Sequence, residues 1–354
     1  MPELDIEQQI EKFWEHFERQ LTTEKRHDLT VLLNTQNHAF IDPTETHPVR
    51  AVDLAAQLDP TPLLDLMKTR YLCFTVVKDR LIPRFRFIAY LVLSRKKSLL
   101  QAYQALSTQD FLLLGFNSRP PYELLREFLY ERIGINRFPM VFHRIVQELT
   151  VILKDHGLTL GERTMQDATD IRALKHDPEA KYSGYYKEYG YKLDVTIDAP
   201  RDVPLDYLPL ELTADEGSNL LPAHARLQSR GIHPREHLVD DKYATYHNIA
   251  QCETKGATMH YKIAKHWVLA SGCSPADIKT TYQRYHHEPD FQPNADLEVM
   301  LHYLCRKGET EIVGGYYRNQ NMAEREEHPE GYDERCNQRG SHMEGFFGRV
   351  KTTT

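Results

Sequence analysis

The chain has 354 residues, of which 41% are hydrophobic, and a formal net charge of −7. That length exceeds one average domain, and that apolar fraction is enough for a packed core. No run of about 18 apolar residues occurs, so no helical membrane span is expected; the longest apolar stretch, Phe87 to Leu93, is bracketed by Arg84 and Arg86 and by Arg95 to Lys97.

The first residues are acidic and amphipathic, unlike a secretory leader, so a cytoplasmic location is expected. The five cysteines, Cys73, Cys252, Cys273, Cys305 and Cys336, are scattered, with no Cys-x-x-Cys pair. That spacing excludes a zinc ribbon or a dithiol redox motif. His302 and Cys305 share a helix face, a pairing that ordinary packing explains.

Charge is unevenly distributed. Residues 1–60 hold 5 Lys/Arg against 12 Asp/Glu, whereas residues 68–150 hold 14 against 6. Fields act locally, over a Debye length of about 8–10 Å, so the second segment can meet phosphates although the whole chain is acidic. Charge alone equally suits a helical region with solvated basic side chains.

In chain order, residues 6–21 predict a helix, with Ile6, Ile10, Phe13, Trp14, Phe17 and Leu21 at three-four spacing. A polar loop follows. Thr61-Pro62 marks a helix start, with a helix to about Asp79 and a break at Pro83. Further helices are expected near 84–95, 97–106, 108–115, 120–133 and from Pro139 to Asp155, stopping at Gly157.

After Gly157 the pattern changes. Strands are expected at Arg163 to Thr169, Tyr189 to Ile197, Leu208 to Thr213, His237 to Val239 and Thr258 to Ala264. Helices are expected at Asn219 to Arg230 and Tyr246 to Thr254. Residues 265–335 read as an insertion with one firm helix near Ala295 to Arg306, and Met343 to Val350 reads as the start of a last helix. The chain thus divides into a mostly helical region, 1–155, and an α/β region, 156–354. Three strands, then helix, strand, helix, strand is the mixed-sheet plan of ribonuclease-H-like nucleases.

Strand ends in such a sheet are where sites form. Asp167 lies in the first strand, Asp240 ends a later one and Glu344 begins the last helix. A carboxylate cluster suits phosphodiester chemistry, because two Mg²⁺ or Mn²⁺ ions about 3.5–4 Å apart can activate the attacking oxygen and stabilise the leaving one. By position alone, Asp170 or Asp194 could replace Asp167, and Asp241 could replace Asp240.

Local motifs narrow the choice. Asp167-Ala168-Thr169 with Ile171-Arg172-Ala173, Leu210 to Leu221, Val239 to Tyr243, and Arg339, Glu344, Phe347, Gly348 and Lys351 resemble, in order, motifs of the Asp-Asp-Glu transposases of bacterial and archaeal insertion sequences. The Asp three before Tyr243 selects Asp240. Lys242 stands where that family usually has Gly or Ala, and Arg339 precedes Glu344 by one residue more than the common spacing.

The resemblance covers about residues 80–351, with 265–335 unmatched in detail. It implies a DNA transposase with Asp167, Asp240 and Glu344 as catalytic, metal-binding carboxylates and Mg²⁺ or Mn²⁺, two ions, as cofactor. Its partners would be double-stranded DNA at the transposon ends and the target, with no membrane, a homodimer on DNA and nucleoid association when bound. Lys351, two helical turns after Glu344, would contact DNA with Arg339 and Arg349. The competing readings are a non-catalytic DNA-binding descendant and a nuclease on the same fold.

Overall fold

The structure, a computed structural model, describes residues 50–68, 71, 74–94, 98–173, 180–184, 187–264 and 266–351. The helix expected over 6–21 lies outside them. Among the described residues no helix is long and apolar enough to cross a membrane.

Among the described residues, seven α-helices precede the sheet: α1 (Ala51–Ala56), α2 (Thr61–Met67), α3 (Phe74–Ser94), α4 (Leu99–Ala105), α5 (Thr108–Leu113), α6 (Tyr122–Glu127) and α7 (Gly134–Asp155), with a π-helical segment, Phe128–Ile133, after α6. The expected break at Pro83 is absent, because α3 runs through it. The carbonyl that Pro83 leaves unbonded belongs to residue 79, in a turn whose Lys78, Asp79 and Arg80 are exposed, so solvent can replace the lost partner. Likewise α7 begins five residues before Pro139, and it ends at Asp155, two before Gly157 with φ +75°.

The sheet has six strands: β1 (Arg163–Arg172), β2 (Lys181–Ser183), β3 (Glu188–Asp198), β4 (Val203–Glu211), β5 (Glu236–Val239) and β6 (Thr258–Tyr261). Its order is β2-β3-β1-β5-β6, with β4 paired to β3. β3 lies antiparallel to β1, β2 and β4, while β1-β5 and β5-β6 are parallel. The chain is therefore α/β with a mixed sheet. β2, three residues long, was not expected from the sequence.

Period-two alternation gives the sheet two distinct faces. On one, Met165, Val195, Tyr207 and Leu238 join a core with Phe142, Ile145 and Leu149 of α7, so one apolar cluster runs across residue 155. On the other lie α8 (Leu220–Ser229) and α9 (Tyr246–Glu253). There Leu220, Val239, Ile249, Met259 and Tyr261 form a second core. Thr164 of β1, His237 of β5 and His224 of α8 form a buried chain with contacts of 2.7 and 2.8 Å. Burial pushes His237 down to about 3 and His224 down to about 4.

Residues 265–335 are more helical than expected. They hold α10 (Pro275–Gln283), α11 (Leu297–Arg306), α12 (Thr310–Glu327) and the start of α13 (Pro329–Lys351). Ser274 and Asp277 form a reciprocal capping box at α10, a signal present in the sequence. α12 lies directly on the start of α9, where Gly314 faces the Tyr246 backbone; a Cβ there would collide with the Tyr246 carbonyl. α13 starts well before Met343. Its Tyr332 enters the second core and its Met343 and Phe347 the first, so one helix joins both.

Candidate functional site

β1 carries Asp167 on the face that α13 covers, and Asp240 follows β5 directly, next to β1 in the sheet. The two carboxylates meet one guanidinium. Arg339 of α13 donates from Nη1 to Asp167 Oδ2 at 2.7 Å and from Nη2 to Asp240 Oδ1 at 3.3 Å. The side chains of Arg339, Asp167 and Asp240 are 18%, 21% and 31% exposed, so the group opens to solvent on one side only. Asp167 Oδ1 also accepts the Ala168 amide at 2.9 Å. Burial pushes Asp167 up to about 6; Arg339 and the Ala168 amide oppose that rise, and Asp240 and Glu216 add to it.

A second ionic group sits close by. Lys192 of β3 is buried and pairs with buried Glu216 at 2.7 Å, while donating to the Ala214 carbonyl. Lys242 pairs with the other oxygen of Glu216 at 3.5 Å. The loop bearing Glu216 is pinned to the loop after β5: Asn248 donates to the carbonyls of Gly217 and Tyr243, and a Cβ on Gly217 would stand 2.6 Å from the Lys242 carbonyl. Glu216 and Lys192 were not anticipated. The only signal for them was the polar turn Thr213 to Asn219 after an apolar strand.

The other aspartates separate by position. Asp194 is buried on the opposite face of the sheet from Asp167, where it accepts from Gln166 Nε2 at 2.7 Å and Tyr243 Oη at 2.9 Å. Asp241 is exposed in the turn beyond Asp240, and Asp170 lies farther along β1. Among the sequence candidates, then, the fold brings Asp167, Asp240 and Arg339 together.

Glu344, Arg349 and Lys351 are described as helix backbone of α13. Glu344 stands five residues past Arg339, about 140° around the helix axis. Among the described side chains of α13, Arg339 meets both aspartates.

Asp194 gives a pH prediction. Burial pushes its carboxyl up to about 7, against the hydrogen bonds from Gln166 and Tyr243. A folded pKa above the unfolded value near 3.9 contributes stability that is full below that value and is lost as pH rises toward 7. Asparagine mimics the protonated form, accepting from Gln166 and donating to the phenol oxygen. Asp194→Asn is expected to match wild type near pH 4 and to exceed its unfolding free energy by a growing margin up to pH 7. Denaturant curves of the two proteins that stay parallel across this range would refute it.

Two carboxylates already holding a cation are a donor set suited to a hard, oxygen-preferring ion. Among the described residues no third His, Cys, Asp or Glu completes a metal-binding group with them. No protein-family model matches the chain, and neither a curated protein nor a solved structure does.

Proposed function

We propose that this protein is a DNA transposase that cuts and joins phosphodiester bonds on a ribonuclease-H-like sheet. The observation that carries the reading is the convergence of Asp167 and Asp240. One lies on the central strand β1 and the other just past the neighbouring parallel strand β5, and the two share one cationic partner. The strand order supports it: three antiparallel strands, β4-β3-β1, continue in parallel through β5 and β6.

Asp167 and Asp240 would hold the divalent cations, Mg²⁺ or Mn²⁺, with Glu344 as the third carboxylate implied by the transposase resemblance. Bound there, such ions lower the pKa of water and stabilise charge on the transferring phosphoryl group. The chain's own contribution is to hold the aspartate oxygens together in a half-closed site and to fix the flanking loop through Glu216, Lys192 and Lys242. The basic residues of 68–150 bind the element ends, with two copies on DNA, and Arg349 and Lys351 contact the backbone.

The test uses the DNA that flanks the protein's own coding sequence, 3′-labelled, with a target plasmid and Mg²⁺ or Mn²⁺. The expected products are a nick at the element end and a labelled strand joined to target. Nicking without joining would leave a nuclease. Binding without nicking would leave a non-catalytic DNA-binding protein, the second reading, which the guanidinium between the two aspartates favours.

A further inference from the structure

We infer that Arg339 is an intramolecular substitute for a divalent cation: its guanidinium closes the Asp167–Asp240 pair and has to leave before metal enters. This rests on the reading of the two aspartates as a metal centre.

Geometry comes first. A single guanidinium links carboxylates from two different elements, with contacts of 2.7 and 3.3 Å. It therefore fills the space between the oxygens that a bridging ion would use. Arginine is always charged and cannot yield by losing a proton, so it yields only by moving.

Charge comes second. Glu216 has Lys192 and Lys242 on its two oxygens, so this neighbouring group brings no excess negative charge to the pair. Asp167, Asp240 and Arg339 together then carry one net negative charge. Adding a divalent ion with Arg339 in place leaves the two aspartates overcompensated by one positive charge in a half-buried setting. Replacing Arg339 by the ion leaves Asp167 and Asp240 balanced. Guanidinium and metal are thus alternatives, because an uncompensated charge away from water is costly.

Anchoring comes third. Tyr332, Met343 and Phe347 are buried on the same helix, so the α13 backbone is fixed from both sides of Arg339. The exchange is a rotamer change of one long side chain whose site is open to solvent on one side. No movement of the helix is required.

The experiment is Mn²⁺ titration of the whole chain, read as free Mn²⁺ by electron paramagnetic resonance. It compares wild type, Arg339→Gln, Arg339→Lys and the double variant Asp167→Asn with Arg339→Gln. Arg339→Gln is expected to bind Mn²⁺ tighter than wild type by on the order of tenfold or more, since it removes a unit charge a few ångströms away. Arg339→Lys, which keeps a cation, stays near wild type, and the double variant loses the gain.

Mn²⁺ should also raise the melting temperature of Arg339→Gln more than that of wild type. If Arg339→Gln does not fold alone, refolding in Mn²⁺ but not in K⁺ supports the inference, and failure in both overturns it. Equal Mn²⁺ affinity in wild type and Arg339→Gln, lost on Asp167→Asn, would overturn the role of Arg339 and leave the metal centre standing. Absence of Mn²⁺ binding in every variant would overturn the metal centre itself.

Discussion

Asp167→Asn is expected to abolish metal-dependent nicking of element-end DNA, by roughly 10²–10³-fold or more, with DNA retention unchanged. Asparagine keeps the shape of the side chain and removes the charge. The basic side chains assigned to DNA binding lie in other elements, so retention in a gel shift separates loss of chemistry from loss of docking. Asp240→Asn should behave alike, because it shares the same cationic partner at 3.3 Å. Glu344→Gln is expected to follow them, as the third carboxylate of the proposed centre. Nicking that survives Asp240→Asn would sink the assignment.

Asp206→Asn is expected to destabilise the fold by about 3–5 kcal/mol. Asp206 of β4 is 1% exposed and faces two guanidiniums, Arg226 at 2.7 Å and Arg230 at 2.9 Å. Burial alone would raise its carboxyl, yet Arg226, His143 at 3.4 Å and Arg230 hold it well below the usual carboxylate range. Arg230 also donates to the Leu205 carbonyl at 3.0 Å, so α8 is fastened to the edge strand by charge as well as packing. Neutralising Asp206 leaves two cations with little water to replace their partner. Guanidinium chloride unfolding measures the effect, and a midpoint within error of wild type would rule it out.

Much of the sheet was legible because alternation and strand-favouring residues coincide in it. β3 and β5 lie within about two residues of where Tyr189 to Ile197 and His237 to Val239 place them. Of the two neighbouring aspartates, Asp240 is the one that meets Arg339, while Tyr243, three residues on, is the buried partner of Asp194.

Proline misled at Pro83, because the cost of a missing hydrogen bond depends on whether solvent can reach the orphaned carbonyl, which a sequence does not state. Of the helices of 275–327, α11 was expected, while α10 and α12 were hidden by polarity: in α12, Gly314 and Gly315 weaken helix propensity, and α9 and Cys273 leave no room there for a Cβ. The meeting of Arg339 with the two aspartates was illegible for another reason: the last helix was expected to start at Met343, and α13 starts fourteen residues earlier, so that Arg339 lies inside it.

The contact that closes the centre spans 172 residues, from Asp167 to Arg339. The β1–β3 ladder, by contrast, joins neighbours such as Thr169 and Leu193. Loop-closure entropy grows with the logarithm of length, so the long contact costs about 2 kcal/mol more to close than that ladder. On entropic grounds the sheet assembles first, and the two aspartates stand side by side as bare anions before α13 docks. Arg339 is therefore also the group that relieves this repulsion during folding, and the docking of α13 is the step that takes the pair from two uncompensated charges to one.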